Sequence, residues 1–303
     1  MHLDGAIILA GAIVGFAVGL TGMGGGALMT PVLVLLLHVQ PAAAVSSDLV
    51  ASVFMKPVGS AVHLRRRTVH RKLAMWLAVG AVPAGFAGAA FLNLVAHGKT
   101  VEHDVKYALG AALLVAVVGL AARTLTKAPT PRHDHGHFPE VRVVPTLLVG
   151  VLGGFVVGVT SVGSGSLMIV ALMFLYPTLT GGQLVGTDLV QSVPLVAAAA
   201  LGQLLFGQVQ LGLTASLMIG SVPAVYLGAR LSASAPTGLL RGAIAVMLLL
   251  SGLKLLSVSD GVLATSGAAA AAVAVVGALV RSRRRSMGAA PTAALASAPS
   301  RSG

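Results

Sequence analysis

The sequence contains the same pattern twice, and this repeat constrains the fold more than any other feature. Residues 11–29 return at 150–168 with ten of 19 positions identical, at a constant offset of 139. Two further matches follow at an offset of 140, between 45–53 and 185–193 and between 80–89 and 220–229. A repeat of this length predicts a chain built from two related halves.

The composition predicts an all-α polytopic membrane protein. Of the 303 residues, 56% are hydrophobic and 9% are charged, whereas a soluble domain has about 25% charged residues. Several apolar runs approach the ~20 residues that a helix needs to cross the hydrocarbon core. The chain has no cysteine, which excludes disulfides and thiolate metal sites.

The apolar runs predict about five membrane segments in each half. They lie at 5–22, 24–38, 43–63, 73–96 and 106–122, and then at 143–161, 164–177, 183–206, 211–231 and 237–256. We therefore expect a first membrane repeat at 1–125, a cytoplasmic linker rich in His and Pro at 126–142, a second repeat at 143–258, an extra transmembrane segment at 263–280 and a disordered cytoplasmic tail at 281–303. No basic region precedes the first run, so we expect a membrane segment there rather than a cleaved signal.

The two halves are predicted to have inverted topology. Residues 5–38 would form a helix of about 50 Å, which is too long for one crossing, so the glycine cluster must break it into two spans or a re-entrant hairpin. Either choice returns the chain to its starting side, and three further crossings make the total odd. The loop at 64–72 holds five Lys or Arg and its counterpart at 204–212 holds none, as expected for opposite faces. This charge pattern predicts that the protein lies in the cytoplasmic membrane with its N-terminus outside the cell and its C-terminus in the cytoplasm.

The glycine-rich motif at 19–26 and its partner at 158–166 predict an anion site. Broken helices expose backbone amides at a half-helix N-terminus, where hydrogen bonds and the helix dipole both favour an anion. The predicted substrate-binding residues here are Thr21, Gly24, Gly25, Gly26, Thr160, Ser161, Gly163, Ser164, Gly165 and Ser166. The alternative is that the glycines only permit close packing. For the preceding glycines at every fourth position, Gly11, Gly15, Gly19, Gly150, Gly154 and Gly158, we expect helix packing alone.

Three charged residues within apolar runs are further candidates. Asp48 and its repeat partner Asp188 each follow a small or hydroxyl residue near the start of a segment, which favours an N-cap role. The alternative is a carboxylate that carries a coupled proton. Lys56 would attract an anionic substrate or pair with Asp48, unless its stem carries the ammonium to the interface.

Other function classes have weaker support in the sequence. His133, His135 and His137 resemble a metal-ligand cluster, but they fall in the Pro-rich linker and favour a solvated loop, so we expect no metal and no cofactor. Gly163-Ser164-Gly165 lacks the flanking glycines of a nucleophile elbow, which argues against an enzyme. Basic residues flank apolar runs without interleaved aromatics, so nucleic acid is not an expected partner.

Over about residues 5–256 the chain resembles the sulfite exporter TauE/SafE family. The resemblance is carried by the repeated Gly-x-x-x-Gly-x-x-x-Gly motif that runs into a glycine cluster, by Pro31 and by the Ser-Asp pair of the next segment. It implies a secondary transporter, with a small anion and the lipid bilayer as partners and homo-oligomerisation left open. The anion would be sulfite, a sulfonate or a related organic acid. A divalent-cation transporter, a passive channel and an intramembrane enzyme remain as alternatives.

Overall fold

The computed structural model describes residues 4–21, 25–95, 139–165, 167–207 and 209–231, with parts of 107–118 and 246–256. Its helices are α1 (Gly5–Thr21), α2 (Gly26–Leu35), α3 (Pro41–Arg65), α4 (Arg71–Val95), α5 (Val143–Thr160), α6 (Leu167–Leu175), α7 (Gly181–Phe206) and α8 (Leu211–Leu231). Helical residues also occur within 107–118 and 246–255. The predicted extra segment at 263–280, the tail at 281–303 and most of the linker at 126–142 lie outside the described residues.

The described part of the chain is helical and has the character of a multi-pass membrane protein. Four helices, α4, α5, α7 and α8, are long and apolar enough to cross a membrane. Large apolar side chains on their outer faces are exposed, as with Leu148, Leu152 and Phe155 on one side of α5. Such a stripe suits contact with lipid and would be unfavourable in water.

Helices α2 and α6 extend only part of the way through a bilayer. Their ten and nine residues give lengths of about 15 and 14 Å, half of the ~30 Å hydrocarbon core. Nearly every residue of α2 is buried, and α2 carries no charged side chain. Residues 161–165, the described break between α5 and α6, are buried too, so this non-helical backbone lies within the protein, where it is tolerated at membrane depth.

The helix pairings repeat when the two halves are exchanged. Helix α1 packs on α8 and α4 packs on α5, which joins the first segment of each half to the fourth helix of the other. Helices α3 and α7 occupy equivalent places and pack on each other. They run antiparallel, since the Ser46 hydroxyl meets Gln203 Oε1 at 2.8 Å while the Ser60 hydroxyl donates to Leu189 O at 2.9 Å. Opposite directions for equivalent helices agree with the inversion that the loop charges predict.

The glycines at every fourth position lie in these helix interfaces, as the sequence predicts. A Cβ on Gly15 would lie 2.7 Å from the backbone oxygen of Ser221 on α8. The equivalent Gly154 lies against Ala81 on α4 in the same way, and Ala81 is the repeat partner of Ser221. Small residues here allow the helix backbones to approach closely in lipid.

Substitution of Gly15 by alanine is expected to destabilise the protein by about 1–3 kcal/mol, because the added methyl group meets fixed backbone. Gly182→Ala is the matched control, since a Cβ there meets nothing within 4 Å. Thermal unfolding in detergent should show a lower melting temperature for Gly15→Ala only. Equal melting temperatures would contradict the packing that the structure shows.

Candidate functional site

The end of the first glycine break, at Gly25 and Gly26, meets the glycine break of the second half. Gly26, the first residue of α2, lies directly against the backbone carbonyl of Ser161, so that a Cβ at this position would overlap that oxygen. The neighbouring Gly25 faces α3, where a Cβ would lie 3.3 Å from Met55 Cε and 3.8 Å from Asp48 Oδ1. The start of α2 thus lies between the second break and α3.

The second break is a turn with three residues at positive φ. Helix α5 ends at Ser161, which has φ 58°, and Gly163 and Gly165 follow with φ 135° and 89°. Glycine adopts such angles without the steric penalty that a side chain adds. The Thr160 hydroxyl lies 2.7 Å from Val156 O and accepts from the Val162 amide at 3.1 Å. These bonds hold the turn, so Thr160 shapes the break through its own backbone contacts.

Asp48 lies inside α3 and does not cap it, so the N-cap interpretation is wrong for this residue. The helix begins at Pro41, seven residues earlier. The Asp48 side chain is fully buried, and its Oδ2 atom accepts from Thr30 Oγ1 at 3.1 Å and from Ser161 Oγ at 2.7 Å. Its Oδ1 atom has no hydrogen-bond partner in the part of the chain that the structure describes.

Asp188 is likewise inside its helix, and the N-cap interpretation is wrong here too. Helix α7 begins at Gly181 and is capped by Thr180, whose side chain forms a reciprocal capping box with Gln183. Asp188 Oδ2 accepts from the Gly165 amide at 2.5 Å, and Oδ1 accepts from Gln191 Nε2 at 2.9 Å. The Gly165 amide, which the sequence predicts to bind substrate, therefore donates its hydrogen bond to the Asp188 carboxylate.

Lys56 is a buried cation at the second break. Its side chain is only 5% exposed, so the ammonium does not reach the interface. Nζ donates to Ser164 Oγ at 2.5 Å, across from α3 to the turn before α6. Both Asp188 and Asp48, the partner considered from the sequence, attract the ammonium. A buried ammonium of this kind is costly unless charged or polar groups surround it.

Three buried polar atoms near these groups have no hydrogen-bond partner within the described ranges: Ser47 Oγ, Asp48 Oδ1 and Gln191 Oε1. Leaving such an atom unpaired costs about 1–3 kcal/mol. A ligand or a proton that supplied the missing bond would recover that cost. The polar centre between α3, α7 and the second break thus holds buried polar atoms whose hydrogen-bonding capacity is not used by the described residues.

The structure brings most of the predicted site residues together. Gly25, Gly26, Lys56, Ser161, Ser164, Gly165, Asp48 and Asp188 all belong to this centre. Gly24, Ser166 and the side chain of Thr21 lie outside the described residues. Thr30 also belongs to this centre, although it is not among the residues that the sequence predicts. Its hydroxyl is the only one in the apolar sequence of α2, which is the feature that could have indicated it.

Within the described residues no three His, Asp or Glu side chains are grouped as metal ligands. The predicted solvated loop with His133, His135 and His137 lies outside them.

The comparisons with known proteins identify the family. The family model described as "Sulfite exporter TauE/SafE" matches residues 7–255. The chain belongs to the TauE/SafE family. It is 38% identical over 253 residues to "Probable membrane transporter protein YjnA" of Bacillus subtilis (strain 168), covering 83% of this chain and 99% of that protein. It is 24% identical over 252 residues to "Probable membrane transporter protein YdhB" of the same organism, covering 82% and 99%. No solved structure matches the chain.

The TauE/SafE match includes every helix of the candidate site. It begins in α1 and ends within 246–256, so both glycine breaks and both buried aspartates lie inside it. The names of both relatives describe membrane transporters. Family membership and the apolar helices together give a multi-pass membrane protein.

Proposed function

We propose that this protein is a secondary transporter that moves a small anion across the cytoplasmic membrane by alternating access. Sulfite, a sulfonate or a related organic acid is the proposed substrate. The observation that carries the proposal is the buried Lys56 ammonium bonded to Ser164 at the point where the two helix breaks meet. The proposed orientation has the N-terminus outside and the C-terminus inside, with the basic loop at 64–72 in the cytoplasm.

The proposed anion site lies beside Lys56, between the start of α2 and the turn at 161–165. An ammonium has three donors, and the described contacts of Lys56 use one of them, at Ser164; we propose that an oxyanion accepts from another. The Ser164 hydroxyl contacts the ammonium directly, and three residues before it Ser161 lies against the backbone of Gly26. Oxygen-rich anions such as sulfite accept several hydrogen bonds, which suits a site with donors on different sides.

The charges of the site point to proton coupling. When all three groups are ionised, Lys56, Asp48 and Asp188 have a combined charge of −1, which repels an anion. At 4 Å a unit charge pair interacts by about 4 kcal/mol at the effective dielectric constant of a partly buried site. Protonation of one carboxylate neutralises the cluster, so that the anion and a proton bind favourably together. We propose that Asp48 or Asp188 carries this proton.

The loop between α3 and α4 is the proposed cytoplasmic closure of the site. The backbone amide of His70 donates to Thr187 Oγ1 at 3.0 Å, and Gly186 lies against Thr68. These contacts cover the turn of α7 that carries Asp188. Opening to the cytoplasm would separate them as one half rocks against the other, which is the motion expected of inverted repeats.

Uptake of radiolabelled sulfite into sealed proteoliposomes tests the proposal. We expect saturable uptake that an acidic exterior accelerates and that unlabelled sulfite, sulfonates or carboxylates inhibit according to their fit. Protein-free liposomes measure the background permeability. The same vesicles loaded with a divalent-cation indicator test the alternative substrate class.

Two results would contradict the proposal. Flux that does not saturate and ignores the pH gradient would indicate a passive channel. Absence of flux for every anion of the panel, with protein that remains folded and inserted, would exclude an anion transporter.

A further inference from the structure

The two buried aspartates have different surroundings, although the repeat makes them equivalent in sequence. From this difference we infer that Asp48 is the group that takes up and releases the coupled proton, while Asp188 stays ionised and positions Lys56 and the second break. The inference rests on the proposed transport of an anion with a proton, and it assigns that proton to one of the two carboxylates.

Both oxygens of Asp188 have hydrogen-bond donors. The Gly165 amide donates to Oδ2 at 2.5 Å and Gln191 donates to Oδ1 at 2.9 Å. Lys56 adds the attraction of a nearby positive charge. A backbone amide, a side-chain amide and an ammonium all favour the ionised carboxylate. Protonation would disrupt these contacts, so Asp188 is suited to a fixed negative charge.

Asp48 is satisfied on one side only. Thr30 and Ser161 donate hydroxyl hydrogen bonds to Oδ2, and hydroxyls are weaker donors to a carboxylate than an ammonium is. Oδ1 is buried, has no hydrogen-bond partner among the described residues and faces Gly25 at the first break. A proton on Oδ1 would leave both existing bonds to Oδ2 in place. Asp48 therefore accommodates a proton without any loss of its present contacts.

Few other charges face Asp48. Lys56 lies on its own helix, two turns further on, and Asp188 lies on α7. Helix α2 and helix α5 carry no titratable side chain, and on α8 the Arg230 guanidinium stacks on the Tyr226 ring in the last turn. Within the described residues, Lys56 is thus the cation whose balance with the two carboxylates determines the charge of the site.

The two donors to Asp48 Oδ2 belong to different halves of the protein. Thr30 lies on α2 of the first half, while Ser161 lies at the break of the second half. Rocking of the halves changes the position of Ser161 relative to Asp48, and loss of its hydrogen bond makes the carboxylate bind a proton more strongly. Proton binding and conformation are therefore linked, and by reciprocity the proton biases the conformation.

The proposed transport cycle conserves protons and charge. On the side to which the site is open, Asp48 takes one proton from water as a univalent anion binds beside Lys56. On the other side the anion leaves and the carboxyl group returns its proton to water. One proton accompanies each univalent anion, so that the cycle moves no net charge and uses the proton gradient as its energy source.

Asp48→Asn is the direct test, because the amide imitates the protonated carboxyl group in shape and charge. Proteoliposomes containing the pH indicator pyranine report proton movement, and exchange of internal unlabelled sulfite for external labelled sulfite reports substrate movement. For Asp48→Asn we expect sulfite-dependent proton movement to fall to background while exchange continues and no longer depends on pH. In the wild type, exchange should fall as the pH rises, because the protonated carboxyl group favours anion binding.

Asp188→Asn and Glu140→Gln complete the comparison. Asp188→Asn should lose exchange and proton movement together, since Lys56 and Gly165 lose their charged partner. Glu140 is an exposed carboxylate before α5, and Glu140→Gln should resemble the wild type in both measurements. Proton movement that persists in Asp48→Asn would overturn the assignment, and so would selective loss of coupling in Asp188→Asn.

Ser161→Ala keeps the assignment testable if Asp48→Asn does not fold. Removal of this donor destabilises the carboxylate form, so the pH of half-maximal exchange should move upward. An unchanged pH profile in folded Ser161→Ala would overturn the inference. The proposed function fails separately, when wild-type vesicles transport none of the anions tested.

Discussion

Gly26→Ala is expected to abolish transport, because a single methyl group at this position separates the two helix breaks. Its Cβ would overlap the carbonyl oxygen of Ser161, and because the two nearest atoms belong to the Ser161 backbone, the turn itself would have to move. Displacement of the turn would also remove the Ser161 hydroxyl from Asp48. Misplacement of binding groups by about 1 Å is enough to cost ~100-fold in rate.

Gly59→Ala is the matched control for this variant. Its Cβ would meet only the end of the Leu189 side chain, at 3.7 Å from Cδ1, which is an ordinary van der Waals contact. Labelled sulfite uptake should be retained in Gly59→Ala and lost in Gly26→Ala, with both proteins eluting as single species from size-exclusion chromatography. Normal uptake by Gly26→Ala would show that the breaks do not meet as the structure places them.

Lys56→Met is expected to have the second largest effect. The substitution removes the buried cation of the proposed anion site and the hydrogen bond to Ser164. Loss of one partner of a buried, hydrogen-bonded charge pair costs about 2–5 kcal/mol, which corresponds to roughly 30- to 5,000-fold in binding. Sulfite uptake measured against concentration should show this loss as a higher KM, a lower maximal rate or both.

Two further variants separate charge from structure at this position. Lys72→Met neutralises an exposed lysine at the start of α4 and should leave uptake close to that of the wild type. Lys56→Met combined with Asp188→Asn removes both charges. The double variant should be more thermally stable than Lys56→Met alone, but it should still not transport sulfite. Full recovery of uptake in the double variant would mean that Lys56 acts only as a structural partner of Asp188.

The sequence predicted the helices well because glycine breaks, apolar length and loop charge are local signals. The predicted segment at 73–96 corresponds to Arg71–Val95, and the one at 211–231 is Leu211–Leu231. The aspartates were misassigned as caps although start signals stood nearby. Pro41 occupies a position that favours a helix start, and Thr180 with Gln183 forms a capping box. These residues indicate helix starts that place Asp48 and Asp188 inside their helices.

The partners within the site could not be predicted in the same way, since they depend on how the two halves pack. Lys56 bonds to Ser164 from 108 positions away, and Ser161 reaches Asp48 from 113 positions away. The sequence indicates that both breaks are rich in glycine, that the second also carries serines and that both aspartates lie in apolar runs. The pairing of each hydroxyl with its carboxylate depends on the tertiary contact between Gly26 and Ser161. The repeat does not predict which residues of the two halves lie opposite each other.

Equilibrium binding of radiolabelled sulfite to the purified protein tests most directly the claim that an anion binds beside Lys56, where the breaks meet. We predict one saturable site in the wild type and in Lys72→Met, and its loss in Lys56→Met. Sulfite binding of equal affinity in folded Lys56→Met, or no saturable binding in the wild type, would contradict the account.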